Sequence, residues 1–435
     1  MRDLASRLRA IVQRPTSTGV TTPRVVADLG IGEATPGGVS LAIAGALGGR
    51  VHGPSCLVID RVFEAYQSHG RRRIEHYVLD ATLPLALLDP RCAGVNGWAA
   101  RPVFFDIETT GLGGGAGTLA FLVGCGWFEP DGFRVRQFLL TGAAGETTLL
   151  AAIGDVLGAA SLIVTFNGRT FDLPFMDMRW AFHRLENPVE DVPHFDMLPP
   201  ARRLWGRRGD AGCSLTALER AVLGFHRLDD VPGMEIPSRY FQFLRSGDPS
   251  VMAGVLDHNR HDVLSLALIA THALHLAQEG PDRCRDGHEQ LALGRVYERA
   301  GLVDRARAAY ESASRAFEPD AQAQALARLA VLLRREGQFE PSADAWRRLL
   351  DCVGADGRRR AMTPLERLAV EALAIHHEHR ARDPMQAKRY AEMLRGDDLG
   401  LARDAARVTH RLGRLDRKIR ATQRGDRTAA LKFEV

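Results

Sequence analysis

Between residues 103 and 166 the hydropathy pattern breaks into short apolar runs and one amphipathic stretch. VFFDIE (103–108), LAFLVGCGWF (119–128) and RVRQFLL (134–140) have the length and the aromatic and β-branched content of strands. Glu146 to Leu157 then carries apolar residues at helical spacing, and Ser161 to Phe166 reads as a further strand. Three strands, a helix and a strand predict an α/β domain with a mixed sheet over residues 101–277. The preceding hundred residues are rich in Gly, Pro and Thr. They predict a helix over Leu4 to Gln13 and strands over Cys56 to Phe63 and Ile74 to Leu79, and residues 1–100 carry no assignable chemistry.

Beyond about residue 284 the strand pattern stops, and Ala, Leu, Arg and Glu recur at helical spacing. In LGRVYERAGLVDRARAAYESASRAFEP the positions Leu293, Gly294, Tyr297, Gly301, Ala306, Tyr310, Ala313 and Pro319 resemble a tetratricopeptide repeat. LARLAVLLRREGQFEPSADAWRRLL repeats the pattern about 36 residues on, and LAIHHEHRARDPMQAKRYAEML is a degenerate third copy. A single helix pair cannot bury its own apolar face, so an all-α helical repeat domain is predicted over residues 284–420, with protein contacts as its expected use.

Asp106 and Glu108 close the first apolar run. At i and i+2 on a strand they share a face, with Ile107 on the other. Neighbouring acids repel and cost desolvation unless a cation lies between them, although the pair alone reads more simply as a solvated strand end. Asp172 follows the strand LIVTF and an Asn-Gly turn, and Asp262 lies inside the amphipathic helix VLDHNRHDVLSLALIATHAL. Propensity and burial both disfavour an Asp there, so a compensating partner is expected.

In order and spacing, DIET, N-x3-FD about 65 residues later and an Asp on a late helix resemble the three exonuclease motifs of the ribonuclease H-like superfamily in its DEDD branch. TTGLGGGAGT, HFDMLPPARRLW, CSLTALE and VPGMEIPSRYF extend the likeness to the bacterial YprB-like branch. The resemblance implies that Asp106, Glu108, Asp172 and Asp262 bind two Mg²⁺ or Mn²⁺ ions and that the protein is a 3′→5′ exonuclease on single-stranded or frayed nucleic acid. Two such ions lie about 3.5–4 Å apart, one activating water and one stabilising the leaving oxygen. The branch places a tyrosine four residues, or a histidine five residues, before the last Asp to orient the water. Here His258 has the tyrosine's spacing, with His261 as a neighbouring candidate, and an imidazole near pKa 6.5 suits a base. The runner-up reading is a nucleic-acid-binding or protein-scaffold module with a weak nuclease site, acting through its repeats.

Thr109, Thr110, Gly111 and Asn167 are expected to line the substrate terminus. The basic stretch ARRLWGRRGD, with Arg202, Arg203, Arg207 and Arg208, is a candidate grip on single-stranded backbone, with Trp205 stacking on a base. Among the 435 residues, 57 are basic and 53 acidic, so the net charge of +4 permits a polyanionic partner without demanding one. Six scattered cysteines without a CxxC pair argue against a zinc site or a secreted disulfide framework, and no apolar run reaches the roughly 18 residues of a membrane helix. A soluble cytoplasmic protein is expected. Motifs alone do not separate DNA from RNA.

Overall fold

The structure, a computed structural model, describes residues 41–111, 117–206, 212–354, 361–395 and 402–430. The helix predicted over Leu4 to Gln13 lies outside them, as do Arg207, Arg208 and most of the glycine run after Gly111. A short helix α1 (Leu41–Ala46) leads into β1 (Arg50–Gly53) and β2 (Cys56–Glu64). A small ribbon of β3 (Ser68–His69) and β4 (Arg72–Arg73) and the helix α2 (Leu85–Leu88) come next. Then follow β5 (Pro102–Thr109), β6 (Ala120–Glu129), β7 (Gly132–Leu140), α3 (Glu146–Gly158), β8 (Leu162–Thr165), α4 (Asp172–Phe182) and β9 (His194–Asp196). Helices α5 (Leu198–Trp205), α6 (Leu215–Leu218), α7 (Ile236–Ser246) and the long α8 (Ser250–Glu279) complete this half.

Seven strands form one mixed sheet in the order β1-β2-β7-β6-β5-β8-β9, antiparallel as far as β5 and parallel from β5 through β8 to β9. The change of direction follows from the connections: a two-residue turn joins β6 to β7, whereas α3 provides the crossover that brings β8 beside β5 as a parallel partner. The segment before residue 101 contributes to this sheet, since β2 pairs with β7 along its whole length, from Cys56 opposite Leu140 to Glu64 opposite Gly132. Ile74 to Leu79 is not a strand. Ile74–His76 is a 3-10 turn; its buried Ile74 and the buried Tyr77 that follows it are three apart, the repeat of that turn rather than of a strand.

The sheet separates two cores. Val103, Phe105 and Ile107 of β5 join Leu149, Ile153 and Leu157 of α3, while Phe104 faces Val263 and Leu264 of α8. Period-two alternation along β5 therefore puts Asp106 and Glu108 on the α8 side.

The helical half comprises α9 (Gly287–Arg299), α10 (Val303–Ala313), α11 (Pro319–Arg335), α12 (Phe339–Gly354), α13 (Pro364–His379), α14 (Pro384–Arg395) and α15 (Ala402–Ala430). Each helix packs on the next, and α9 also touches α11 and α11 touches α13, as in a stacked array. Gly301 and Gly337 end the first helix of two successive pairs with φ of +76° and +78°. The N–H groups that follow, of Leu302 and Gln338, return to the Tyr297 and Leu333 carbonyls at 3.0 and 2.9 Å, the Schellman closure. Arg382 takes the same place in the third pair with φ +55°, so a side chain stands where two copies have none. No helix among the described residues is long and apolar enough to cross a membrane.

Candidate active site

Three elements bring the acids together. β5 supplies Asp106 and Glu108, the first turn of α4 supplies Asp172, and α8 supplies His258 and Asp262. The approach of α8 depends on two glycines of β6. A Cβ at Gly124 would stand 2.4 Å from Asn259 Oδ1, and one at Gly126 would stand 2.5 Å from a Val263 methyl. With hydrogen at both positions the helix lies against the strand, and Asp262 reaches the carboxylates of β5.

A polar row fixes the first of these. Asp106, Gly124 and Gln137 are register partners on β5, β6 and β7. Above them, Gln137 Nε2 donates to Asn259 Oδ1 at 2.9 Å, and Asn259 Nδ2 donates to Asp106 Oδ2 at 2.8 Å. The Asp106 carboxyl is thereby oriented by a neutral amide, with no cation paired to it among the described residues. Burial, then the charges of Asp262, Glu108 and Asp172, raise its pKa well above the usual carboxylate range. Burial likewise pushes Glu108 up to about 8 against the opposing pull of His258, and burial with the nearby Asp196 pushes Asp172 up to about 7.

Asp262 differs. Burial would raise it too, but the His258 hydrogen bond and the Arg227 guanidinium hold it below its ordinary value. His258 Nε2 lies 3.3 Å from Asp262 Oδ2 and 3.9 Å from Glu108 Oε1, while its Nδ1 lies 2.8 Å from Asp230 Oδ1. Burial works against its charge, yet Asp262, Glu108 and Asp230 together raise its pKa to about 9. Among these carboxylates the imidazole is therefore a counter-ion rather than the near-neutral base that residue type alone predicts. The alternative candidate, His261, faces elsewhere, against the rings of Phe225 and His69.

Arg227 is the residue that sequence reasoning missed. Its side chain is 2% exposed, and it holds Glu219 through Nε at 2.8 Å and Nη2 at 2.6 Å. It also donates to Asp262 Oδ1 and lies 3.3 Å from His258 Nδ1. Glu219 opens a π-helical turn, Glu219–Leu223, a distortion frequent at functional sites. This is the compensating partner that an Asp inside a helix demands, and it comes from 35 residues upstream. Gln137 and Asn259 were missed as well, although a lone amide in the apolar run RVRQFLL was a usable signal.

The remaining expected residues divide. Thr109 and Thr110 close the β5–β6 connection: Thr109 Oγ1 donates to the Gly111 carbonyl at 2.9 Å, and Thr110 Oγ1 accepts from Leu119 N–H at 3.0 Å. Asn167 turns β8 into α4 with φ +71°, its N–H donating to the buried Asp196 carboxylate at 2.8 Å. Asp196 and His194 thus brace that turn. Arg202 and Arg203 lie on α5, facing the helical half. Trp205 is corrected: it is 3% exposed, its Nε1–H bonds Glu289 Oε1 at 2.6 Å, and its ring stacks near His272. No face is left for a base, because an aromatic among arginines reads alike whether it packs inward or outward.

Ligand atoms of Glu108, His258 and Asp262 lie within 4.8 Å of one another. Oxygen donors around a half-buried, mutually repelling carboxylate set fit hard divalent cations, which would relieve the repulsion. Residues 103–274 match the profile of the RNase_H superfamily. Over 319 residues, covering 72% of this chain and 74% of the relative, the sequence is 33% identical to the uncharacterized protein YprB of Bacillus subtilis (strain 168). The chain belongs to the ribonuclease H superfamily. Ribonuclease H-like domains act on nucleic acids and use divalent metals, and the acids of β5, α4 and α8 are where this one gathers its negative charge.

Proposed function

We propose that the protein is a divalent-metal-dependent nuclease that shortens single-stranded or frayed nucleic acid from the 3′ end. The observation that carries the reading is the convergence of Asp106, Glu108, Asp172 and Asp262, in the motif order of the DEDD exonucleases, with His258 in contact with Asp262 and Glu108. Asp106, Glu108, Asp172 and Asp262 would hold two Mg²⁺ or Mn²⁺ ions. Bound there, the ions would neutralise the acids and polarise both the phosphate and the attacking water. With that charge offset, the carboxylates no longer favour the imidazolium, and His258 can accept a proton at Nε2 while Asp230 holds Nδ1. Asn259 and Gln137 keep Asp106 aimed, and Arg227 keeps Asp262 aimed. The helical pairs act as tetratricopeptide-like repeats that contact other proteins in the cytoplasm.

One observation favours a second reading, a nucleic-acid-binding scaffold with a weak nuclease site. Both oxygens of Asp262 already have cationic partners, Arg227 and His258, which metal must displace or share. Incubation of 5′-labelled single-stranded DNA and RNA with Mn²⁺, Mg²⁺ or EDTA decides between them. A metal-dependent ladder receding from the 3′ end, absent for Asp106→Ala, is expected. Retained binding without cleavage in either metal would leave the scaffold.

A further inference from the structure

Where the two halves meet, α5, α9 and α11 enclose a cleft of about 300 Å³. Five of its lining side chains are arginines, Arg202 and Arg203 of α5, Arg295 and Arg299 of α9 and Arg328 of α11, and none is a carboxylate. Arg295 and Arg299 are four apart, so one helix face presents both. The junction is fastened beside them by the Trp205–Glu289 hydrogen bond.

Internal counter-charge is scarce. Arg328 lies 3.6 Å from Glu298, but that acid also accepts from the Tyr310 hydroxyl at 2.6 Å and faces Arg335 at 3.4 Å. Arg203 donates to the Leu88 carbonyl, with Asp89 nearby. Arg202 and Arg299 have no ion pair among the described residues. Basic and acidic residues number 57 and 53, so the cluster does not simply reflect a strongly basic chain. Five guanidiniums in one cleft repel one another, and an anionic occupant removes that cost. Their spread over three helices suits a row of phosphates better than a single one, and their planar forks match phosphate oxygens.

We infer that this cleft binds the phosphodiester backbone of a nucleic-acid strand, so that the helical half shares in holding the substrate. None of its lining residues belongs to the carboxylate site. The inference takes the identity of the polymer from the nuclease reading, but binding can be measured without hydrolysis.

The test is fluorescence anisotropy of a labelled 30-nucleotide strand, DNA and RNA in turn, with the full-length protein in EDTA over a range of KCl concentrations. Each lost phosphate contact to a single strand removes about 0.7 from the slope of log K against log salt, so R299A/R328A should lower it by about 1.4 and weaken binding about tenfold at 0.1 M salt. R299K/R328K keeps the charge and should keep most of the slope, which a merely architectural role for the guanidiniums would not produce. Equal slopes for the wild type and the alanine pair would overturn the inference, as would a wild type that binds no strand in EDTA. In either case the metal-dependent cleavage assay still judges the nuclease reading separately. If a 4-nucleotide strand binds as tightly as the 30-mer with the same slope, the cleft is a small-anion site and the backbone assignment falls.

Discussion

Asp106, half-buried in the sheet half, and Glu378, buried in the helical half, are acids with opposite surroundings. Glu378 accepts from Arg414 at 2.6 and 2.7 Å and from Lys418 at 2.9 Å, and these hydrogen bonds, led by Arg414, hold its pKa down to about 2. Asp106 has one neutral donor and three acidic neighbours, and its pKa is forced upward. An acid buried with its cations holds helices together. One buried among acids reduces stability and calls for a cation that the chain does not supply, which marks a place prepared for a ligand.

The contrast predicts opposite responses to pH. A carboxyl held near 2 contributes stability above its unfolded value of about 4.3, and the contribution is lost as pH falls towards 2. Glu108 and Asp172, at about 8 and 7, retain protons that the unfolded chain has released, so their share is complete below about 4.3 and is lost as pH rises through 7 to 8. Asp106→Asn is the sharpest probe. Turnover should fall by roughly a thousandfold, while the urea midpoint in EDTA holds or rises and its decline between pH 6 and 9 flattens. A large loss of stability would show that Asp106 is architectural after all.

Next in size is Gly124→Ala, which forces a methyl into the space of Asn259 and should cost about 2–3 kcal/mol by urea denaturation, with turnover falling too because α8 carries Asp262. If stability and activity are both unchanged, the close approach is not what builds the site. Glu378→Gln should cost about 1–2 kcal/mol at pH 7, a difference that shrinks as pH drops towards 2 and the wild-type carboxyl is also neutral. A cost that does not vary with pH would refute the pairing as its source. Smallest is Arg382→Gly, expected to stabilise by about 0.5–1 kcal/mol by relieving a left-handed backbone at a position where the other two pairs carry glycine.

The strands around β5 and the acids that gather beside it were legible because each is a local pattern: an apolar run, two acids of like parity, an Asp where a helix should not have one. Arg227 was not legible, since HRLDD announces nothing until folding brings it against Glu219 and Asp262. The row of Asp106, Gly124 and Gln137 spans three strands whose register no single run encodes. Trp205 was misread because local sequence does not say on which side of a short helix the core lies, and Ile74 to Leu79 because a short apolar stretch fits a strand and a 3-10 turn alike.

Helix α8 begins in the sheet half, carries His258 and Asp262 near its middle, and ends against the first helical pair, where the Tyr297 hydroxyl donates to the Ala277 carbonyl at 3.0 Å. From Asp262 to Ala277 is about 22 Å of unbroken helix. Such an element is a strut: torque applied to the array by whatever it grasps would be transmitted along α8 to the acid at its centre. The boundary near residue 284 is thus a change of composition and not a mechanical joint, and a protein cut there would lose the partners of Trp205 and Ala277 together.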